Sequence, residues 1–422
     1  MRKTNKVFSW FFTAFLTIFL FVGLQARSTY VDTRGEIEVL GSPISKIDKI
    51  VNSYALKKQF TGVIFVTQGI KGEHIIYQNA VGMANREWKI RNGMNTKLLI
   101  GSNTKQFTAM LVMQEVEKGN IDLEGVISDY LPEYKGNGKD VVTIHQLLSM
   151  QSRIPNFNTR PDYEELPLYP GNKAYRLHFS VMDLIDRYCS DNLTIPQNGC
   201  PGSLYDYSNS NYYILGAILE KVTGKSYLEL LQERIFNPLK MKNSGYYTND
   251  VILSQKAYGY TRVNGITGQA PFIDISNAYS AGAVYSTVED FNIWESSLYT
   301  DELLSDYYRE KMMEPYIAVC PNDAAYYGIS LYYGYGLEIG YMQAGHRQLN
   351  LVLHGGSIPG FVSFHLRVLN DKYTIIILAN LDDKDLFVPP PYDIAINIVR
   401  VLYNLSPITI PDSVAKDLKF NW

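Results

Sequence analysis

The sequence predicts an α+β fold: one sheet drawn from both ends of the chain, with a largely helical segment inserted between them. Three observations carry this. Strand-like apolar runs stand early, at 62–68 and 74–81. They return late, at 351–354, 361–368 and 373–378. The stretch from about 120 to 310 reads as mixed helix and loop.

Taken in order, residues 42–59 read as a helix because Ile44, Ile47, Ile50, Val51 and Tyr54 recur near a 3.6-residue period. The runs 62–68 and 74–81 are separated by a short turn containing Gly72, as in a hairpin. Residues 104–118 read as a helix stopped by Gly119. Its apolar residues Phe107, Ala109, Met110, Leu111, Val112, Met113 and Val116 surround most of the cylinder, so this helix belongs inside the protein. Residues 212–222 form an amphipathic helix that Gly224 ends.

The 422 residues are 46% apolar and 19% charged, which excludes a disordered chain and gives a large core. A net charge of −3 offers no electrostatic reason to expect nucleic acid or an anionic surface as partner. The 33 tyrosines, each an apolar face with a polar tip, suit amphipathic surfaces and pocket walls. Arg2, Lys3 and Lys6 precede an uncharged apolar run at 7–26, an export signal that is either cleaved after Ala26 or kept as an anchor. Any membrane association is expected through that segment alone. The expected organisation is a leader at 1–26, a lead-in at 27–41, one domain at 42–404 and a tail at 405–422. In an oxidising compartment Cys189 and Cys200 are close enough in sequence to pair, leaving Cys320 over. The six histidines show no ligand spacing, so no metal and no cofactor is expected.

Three short motifs could carry chemistry. Ser102 and Lys105, in Gly101-Ser102-Asn103-Thr104-Lys105, open the buried helix. Three residues apart on a helix, they share a face, so the amine can take the hydroxyl proton. A helix N-terminus also stabilises a developing oxyanion. The competing role for Ser102 is a helix cap. A second Ser-x-x-Lys, Ser413 to Lys416, lies in a polar tail. Tyr207-Ser208-Asn209 follows a Pro-Gly turn and precedes a helix. Its phenol could relay protons and its amide could hold a carbonyl, with capping as the alternative. His354-Gly355-Gly356-Ser357 ends a strand, where glycines let a ligand approach the backbone and the Ser357 N–H could face a pocket.

In this order the three motifs resemble the serine β-lactamase and DD-peptidase superfamily, above all its class C β-lactamase-related branch. Family-like text also recurs as FTGVIFV, NPLKMKNSGY, AGAVYSTVEDFNIW and HGGSIPGFVSFHL. The resemblance implies an antiparallel sheet flanked by helices, a helical subdomain, and a site between them. It implies Ser102 as acylated nucleophile, Lys105 as its activator, Tyr207 as proton shuttle and Asn209 as orienting amide. The Ser102 and Ser357 N–H groups would form the oxyanion hole, with His354, Gly355 and Gly356 beside the substrate. His354 stands where many relatives have the lysine of a Lys-Thr-Gly triad. A histidine carries at most a fractional charge near neutral pH, which points away from an efficient β-lactamase. The stretch 149–153 also departs from the family pattern. The expected activity is hydrolysis of a small-molecule or peptide amide or ester, a D-alanyl peptide, small ester or β-lactam, through an acyl-serine. A protein that is acylated without turnover, or a scaffold without catalysis, are the alternatives. Oligomeric state is left open by the sequence.

Overall fold

The computed structural model describes residues 42–160, 163, 173–190, 201–202, 204–319, 327–386 and 388–408. The apolar segment 7–26 on which the export expectation rests, Cys200, Cys320 and the Ser413 motif lie outside the described residues. Cys189 is buried with its thiol free, and burial pushes that thiol up to about 12.

Eight strands build the main sheet: β1 (Gly62–Gln68), β2 (His74–Val81), β3 (Ile317–Ala318), β4 (Ile329–Tyr333), β5 (Glu338–Ala344), β6 (Arg347–Ile358), β7 (Phe361–Val368) and β8 (Tyr373–Ala379). Their spatial order is β3-β4-β5-β6-β7-β8-β1-β2, with each neighbour antiparallel. The early hairpin joins the late meander where β1 pairs with β8, Gly62 opposite Ala379 and Gln68 opposite Tyr373. The long middle of the chain is therefore an insertion into one sheet.

Both faces of that sheet are covered, which explains why β1 and β8 read as unbroken apolar runs. Val63, Phe65, Ile376 and Leu378 point to one face and join a core with Phe107 and Met110. Ile64, Val66, Ile375 and Ile377 point to the other and pack with Ile47, Val51, Ile394 and Ile398. The second core is closed by α1 (Pro43–Leu56) and the last described helix, Pro390–Leu402, which touch each other across it.

On the first face lies α2 (Thr104–Glu117), buried from Thr104 through Glu115 as its all-round apolar pattern requires. Phe107 stacks on Trp294 with centroids 4.2 Å apart. Trp294 belongs to Val288–Ser297, which also packs on β1 and β8. The amphipathic helix begins three residues earlier than the sequence suggests, at Asn209, and ends at left-handed Gly224. It becomes α3 (Asn209–Thr223), with Val288–Ser297 as α4 and Pro390–Leu402 as α5.

Two expectations need correction. The strand at 351–354 is the middle of the longer β6, so His354 sits within a strand and Ser357 near its end. Strands β4 and β5 and helix α5 were not anticipated at all. Among the described residues no helix is long and apolar enough to cross a membrane.

Candidate active site

A short strand, Leu98–Leu99, leads into Gly101, whose φ of +50° is the left-handed region that suits glycine. The turn Gly101–Asn103 then passes directly into α2. Neither Ser102 nor Asn103 caps that helix through its side chain, which leaves the Ser102 hydroxyl for other contacts. The end of β6 presses against this turn. A Cβ on Gly101 would lie 2.8 Å from the Ser357 nitrogen, and one on Gly356 would lie 2.0 Å from the Ile100 oxygen and 2.9 Å from the Ser102 nitrogen. Backbone meets backbone here, and the Ser102 and Ser357 amides come side by side.

Lys105 is fully buried one turn along α2. Its Nζ lies 2.9 Å from Ser102 Oγ, 2.7 Å from Asn209 Oδ1 and 3.0 Å from the Ala281 carbonyl oxygen. It also sits 5.0 Å from the centre of the Tyr207 ring. Burial holds this amine well below the ordinary lysine range. The two carbonyl oxygens are acceptors only. Both accept from Lys105 Nζ, so that once the amine gives up a proton its lone pair is the part turned toward the Ser102 hydroxyl.

Tyr207 and Asn209 stand at the start of α3. Neither Ser208 nor Asn209 caps the helix in the usual way, since the Ser208 side chain makes no capping bond. Asn209 is held on three sides: Oδ1 accepts from Lys105, Nδ2 donates to Asn158 Oδ1 at 3.1 Å, and its backbone N–H donates to Asn156 Oδ1 at 3.0 Å. The unusual stretch 149–153 supports this segment. Asp206 N–H donates to the Met150 carbonyl, Gly202 N–H to that of Gln151, and the Ser152 hydroxyl to Asn211 Oδ1. Met150 and Arg153 take left-handed φ values of 60° and 65° to form it.

The Tyr207 hydroxyl is buried and makes no hydrogen bond of normal geometry among the described residues. Burial raises its pKa above the ordinary phenol value, the nearby Ser102 hydroxyl works against that rise, and Glu338 adds to it. The phenol is thus protonated at rest, able to donate rather than to act first as a base.

His354 is fully buried, and it does not line the cavity in front of Ser102. Nδ1 meets the Gly355 oxygen at 2.5 Å and Nε2 meets the Tyr333 hydroxyl at 3.1 Å. Burial, the nearby Lys105 and His365 push its pKa down to about 3, against a weaker upward pull from the Gly355 carbonyl. It stays uncharged at neutral pH. Gly355 and Gly356 are likewise absent from the cavity wall, and their missing side chains make room for Tyr392 and for the Ile100 to Ser102 backbone.

The cavity encloses about 430 Å³ and is floored by Ser102, Asn209 and Ser357. Phe157, Tyr163, Tyr175 and Ile273 give it an apolar wall, and Asn158 and Asn277 add amides. Lys384 is its one charged lining residue among those described, and that ammonium is already paired with Asp382 at 2.7 Å. Sequence reasoning missed Asn156, Asn158 and the Ala281 carbonyl, none of which belongs to a recognisable motif. The 3₁₀ turn Phe157–Thr159 delivers Asn158, and a backbone carbonyl has no signature at all.

An antiparallel sheet with a Ser-x-x-Lys turn packed against its long strand defines the serine β-lactamase and transpeptidase superfamily. The family model described as Beta-lactamase matches residues 48–396, and the chain belongs to this family. It is 25% identical over 348 residues to Protein flp of Staphylococcus aureus (strain MW2), an alignment that covers 80% of this chain and 63% of that protein. The chain thus aligns with less than two thirds of that relative's length. The crystal structure of a penicillin-binding protein from Bacillus halodurans is 25% identical, with a TM-score of 0.65 over 84% of this chain and 98% of that one. D-amino acid amidase from Ochrobactrum anthropi, at 21% identity, shares the fold with a TM-score of 0.68 over 85% of this chain and 98% of its own.

Proposed function

We propose that this chain is an exported serine hydrolase that transfers the acyl half of an amide or ester to Ser102 and then to water. The observation that carries the reading is the environment of Lys105: a buried amine depressed in pKa, with two carbonyl acceptors and the Ser102 oxygen around it. In the first step the lone pair of Lys105 takes the Ser102 proton while Oγ bonds to the substrate carbonyl carbon. The carbonyl π electrons move to oxygen, which faces the Ser102 and Ser357 amides. The C–N or C–O bond then breaks, and the leaving group takes a proton through Tyr207, which Lys105 restores. A water then bonds through its oxygen to the acyl carbon as its proton passes to the Tyr207 and Lys105 pair, and the Oγ–C bond breaks as that proton returns to Ser102, releasing the acid.

The substrate class follows from the walls. A neutral, buried His354 supplies no fixed positive charge for a carboxylate, so small esters and peptide amides suit the cavity better than β-lactams do. Export rests on the apolar segment at 7–26. The test is labelling of the purified protein by a fluorophosphonate probe, with wild type expected to label and Ser102→Ala not. Equal labelling of both would overturn the reading, and label that never leaves wild type with a carboxylic ester would make it an acylated sensor instead.

A further inference from the structure

Behind the nucleophile turn lies a chain of buried polar groups that the proposed chemistry does not use. Strand β7 directs Ser363, His365 and Arg367 to one face, because alternate residues of a strand share a side. All three are buried, and so is Glu295 of α4, which reaches between the last two: Oε1 is 2.9 Å from His365 Nδ1 and Oε2 is 3.0 Å from Arg367 Nε. These contacts have ion-pair distance without the alignment of a linear hydrogen bond. The Glu295 carboxylate and the Arg367 guanidinium lie together as an oppositely charged buried pair.

From there the polarity of every bond is fixed. The Trp294 indole N–H can only donate, and it donates to Gln106 Oε1 at 2.6 Å. That orients the Gln106 amide, whose Nε2 faces Asn103 Oδ1 at 3.3 Å and His365 Nε2 at 3.4 Å. His365 Nε2 must therefore accept, a tautomer set by its neighbours. Asn103 Nδ2 then donates to Ser363 Oγ at 2.7 Å, and the Ser363 hydroxyl donates to the Ile100 carbonyl at 2.7 Å. An indole that only donates stands at one end and a carbonyl that only accepts at the other. Every link between has one permitted direction.

The carbonyl at the end belongs to the peptide that leads into Gly101 and Ser102. It is also held by the Asn103 N–H at 3.2 Å. We propose that Ser363 is a positioning residue for the acylation step: it holds the Ile100 peptide, and hence the Ser102 amide and hydroxyl, in the reactive orientation, with Asn103, Gln106 and His365 fixing the direction of its hydroxyl. This rests on the acyl-Ser102 reading. It differs from that reading in naming a residue that touches neither substrate nor Lys105 and does not line the cavity.

The experiment compares wild type with Ser363→Ala, Ser363→Thr and Ser363→Cys in the full chain. Acylation is followed with a fluorophosphonate probe, kcat and KM with a p-nitrophenyl ester, and folding by Tm. Ser363→Ala is expected to slow acylation by about tenfold to a hundredfold, the scale of a reacting group displaced by roughly 1 Å. The loss should fall on the acylation rate constant, and so on kcat/KM, with the deacylation rate of the acyl-enzyme unchanged, because the cavity is untouched. Ser363→Thr keeps the hydroxyl and should restore most of the rate. Wild-type rates in Ser363→Ala, or equal loss in the alanine and threonine variants, would overturn the proposal. If the alanine variant fails to fold, Ser363→Cys decides: a side chain of similar shape with a weak donor should fall between wild type and inactive, and a wild-type rate there would overturn it. Failure of wild type itself to label at Ser102 would remove the underlying reading, and this proposal with it.

Discussion

Lysine is effective as a base only when its proton is loosely held, and burial at position 105 pushes its pKa well below the ordinary lysine range. Lys105→Ala should slow acylation at neutral pH by about 10² to 10⁴, the contribution of a positioned acid-base group. Lys105→Arg should fare no better, since a guanidinium keeps its proton and has no lone pair to offer. Probe labelling checks both, and an active arginine variant would mean that charge, not proton transfer, is the role. Tyr207→Phe keeps the ring beside Lys105 and deletes the hydroxyl alone. With a p-nitrophenyl ester, whose leaving group departs without a proton, its acyl-enzyme should accumulate because the relay to water is broken, and unchanged turnover of that ester would dismiss the relay. His354 makes a prediction about stability. Its pKa falls from 6.5 to about 3 on folding, so between those values the unfolded chain binds the extra proton. Stability from this group is complete above pH 6.5 and drains away toward pH 3, with a limiting slope of about 1.4 kcal/mol per pH unit. His354→Gln lacks that titration and should lose less stability between pH 7 and pH 4.5 in urea melts. An identical loss in both proteins would refute the assignment.

At the scale of elements, the site depends on two backbones in contact. Gly356→Ala would drive a Cβ to 2.0 Å from the Ile100 oxygen, a backbone atom that cannot rotate away. We expect a loss of about 1–3 kcal/mol from overpacking, together with loss of labelling. Gly268→Ala, with nothing within 4 Å, is the control that should leave both unchanged. The same scale shows what the sequence made legible. Residues 62–68, 74–81 and 361–368 match strands β1, β2 and β7 because each is a compact run bounded by turn residues. The buried α2 was equally plain, since Gly119 marks its end and no polar face interrupts it. Helix α5 was hidden: its run of Ile and Val looks strand-like, and the prolines before it look like a break, yet Pro390 and Pro391 occupy the first turn where a missing N–H costs nothing. Ser102, Lys105, Tyr207 and Asn209 could be named from their motifs, and the structure brings them together. His354 could be named too, but only packing shows that it faces the interior of the protein and not the cavity. The Trp294 to Ile100 chain left no trace in the sequence, because its members come from four separate elements and each is an ordinary core-adjacent polar residue alone.

For the molecule as a whole, the proposed hydrolysis would draw its selectivity largely from the insertion, because Phe157, Tyr163, Tyr175 and Ile273 of the cavity wall all come from the inserted segment. A wall of that kind rewards apolar surface. Each methylene buried is worth about 0.8 kcal/mol, or roughly a fourfold gain in kcat/KM while the added carbon still meets the wall. Across p-nitrophenyl acetate, butyrate and hexanoate, kcat/KM should therefore climb and then level as the cavity fills. Ile273→Ser should flatten the climb while leaving acetate almost unchanged, because the acetyl group has no chain beyond its methyl to bury against that wall. A carboxylate added to the far end of the acyl chain should bring no gain between pH 5 and 8, where a free imidazole would titrate but the buried His354 stays neutral. A flat series in wild type, or a carboxylate preference that grows as pH falls, would move substrate selection away from the apolar wall and toward a charged group.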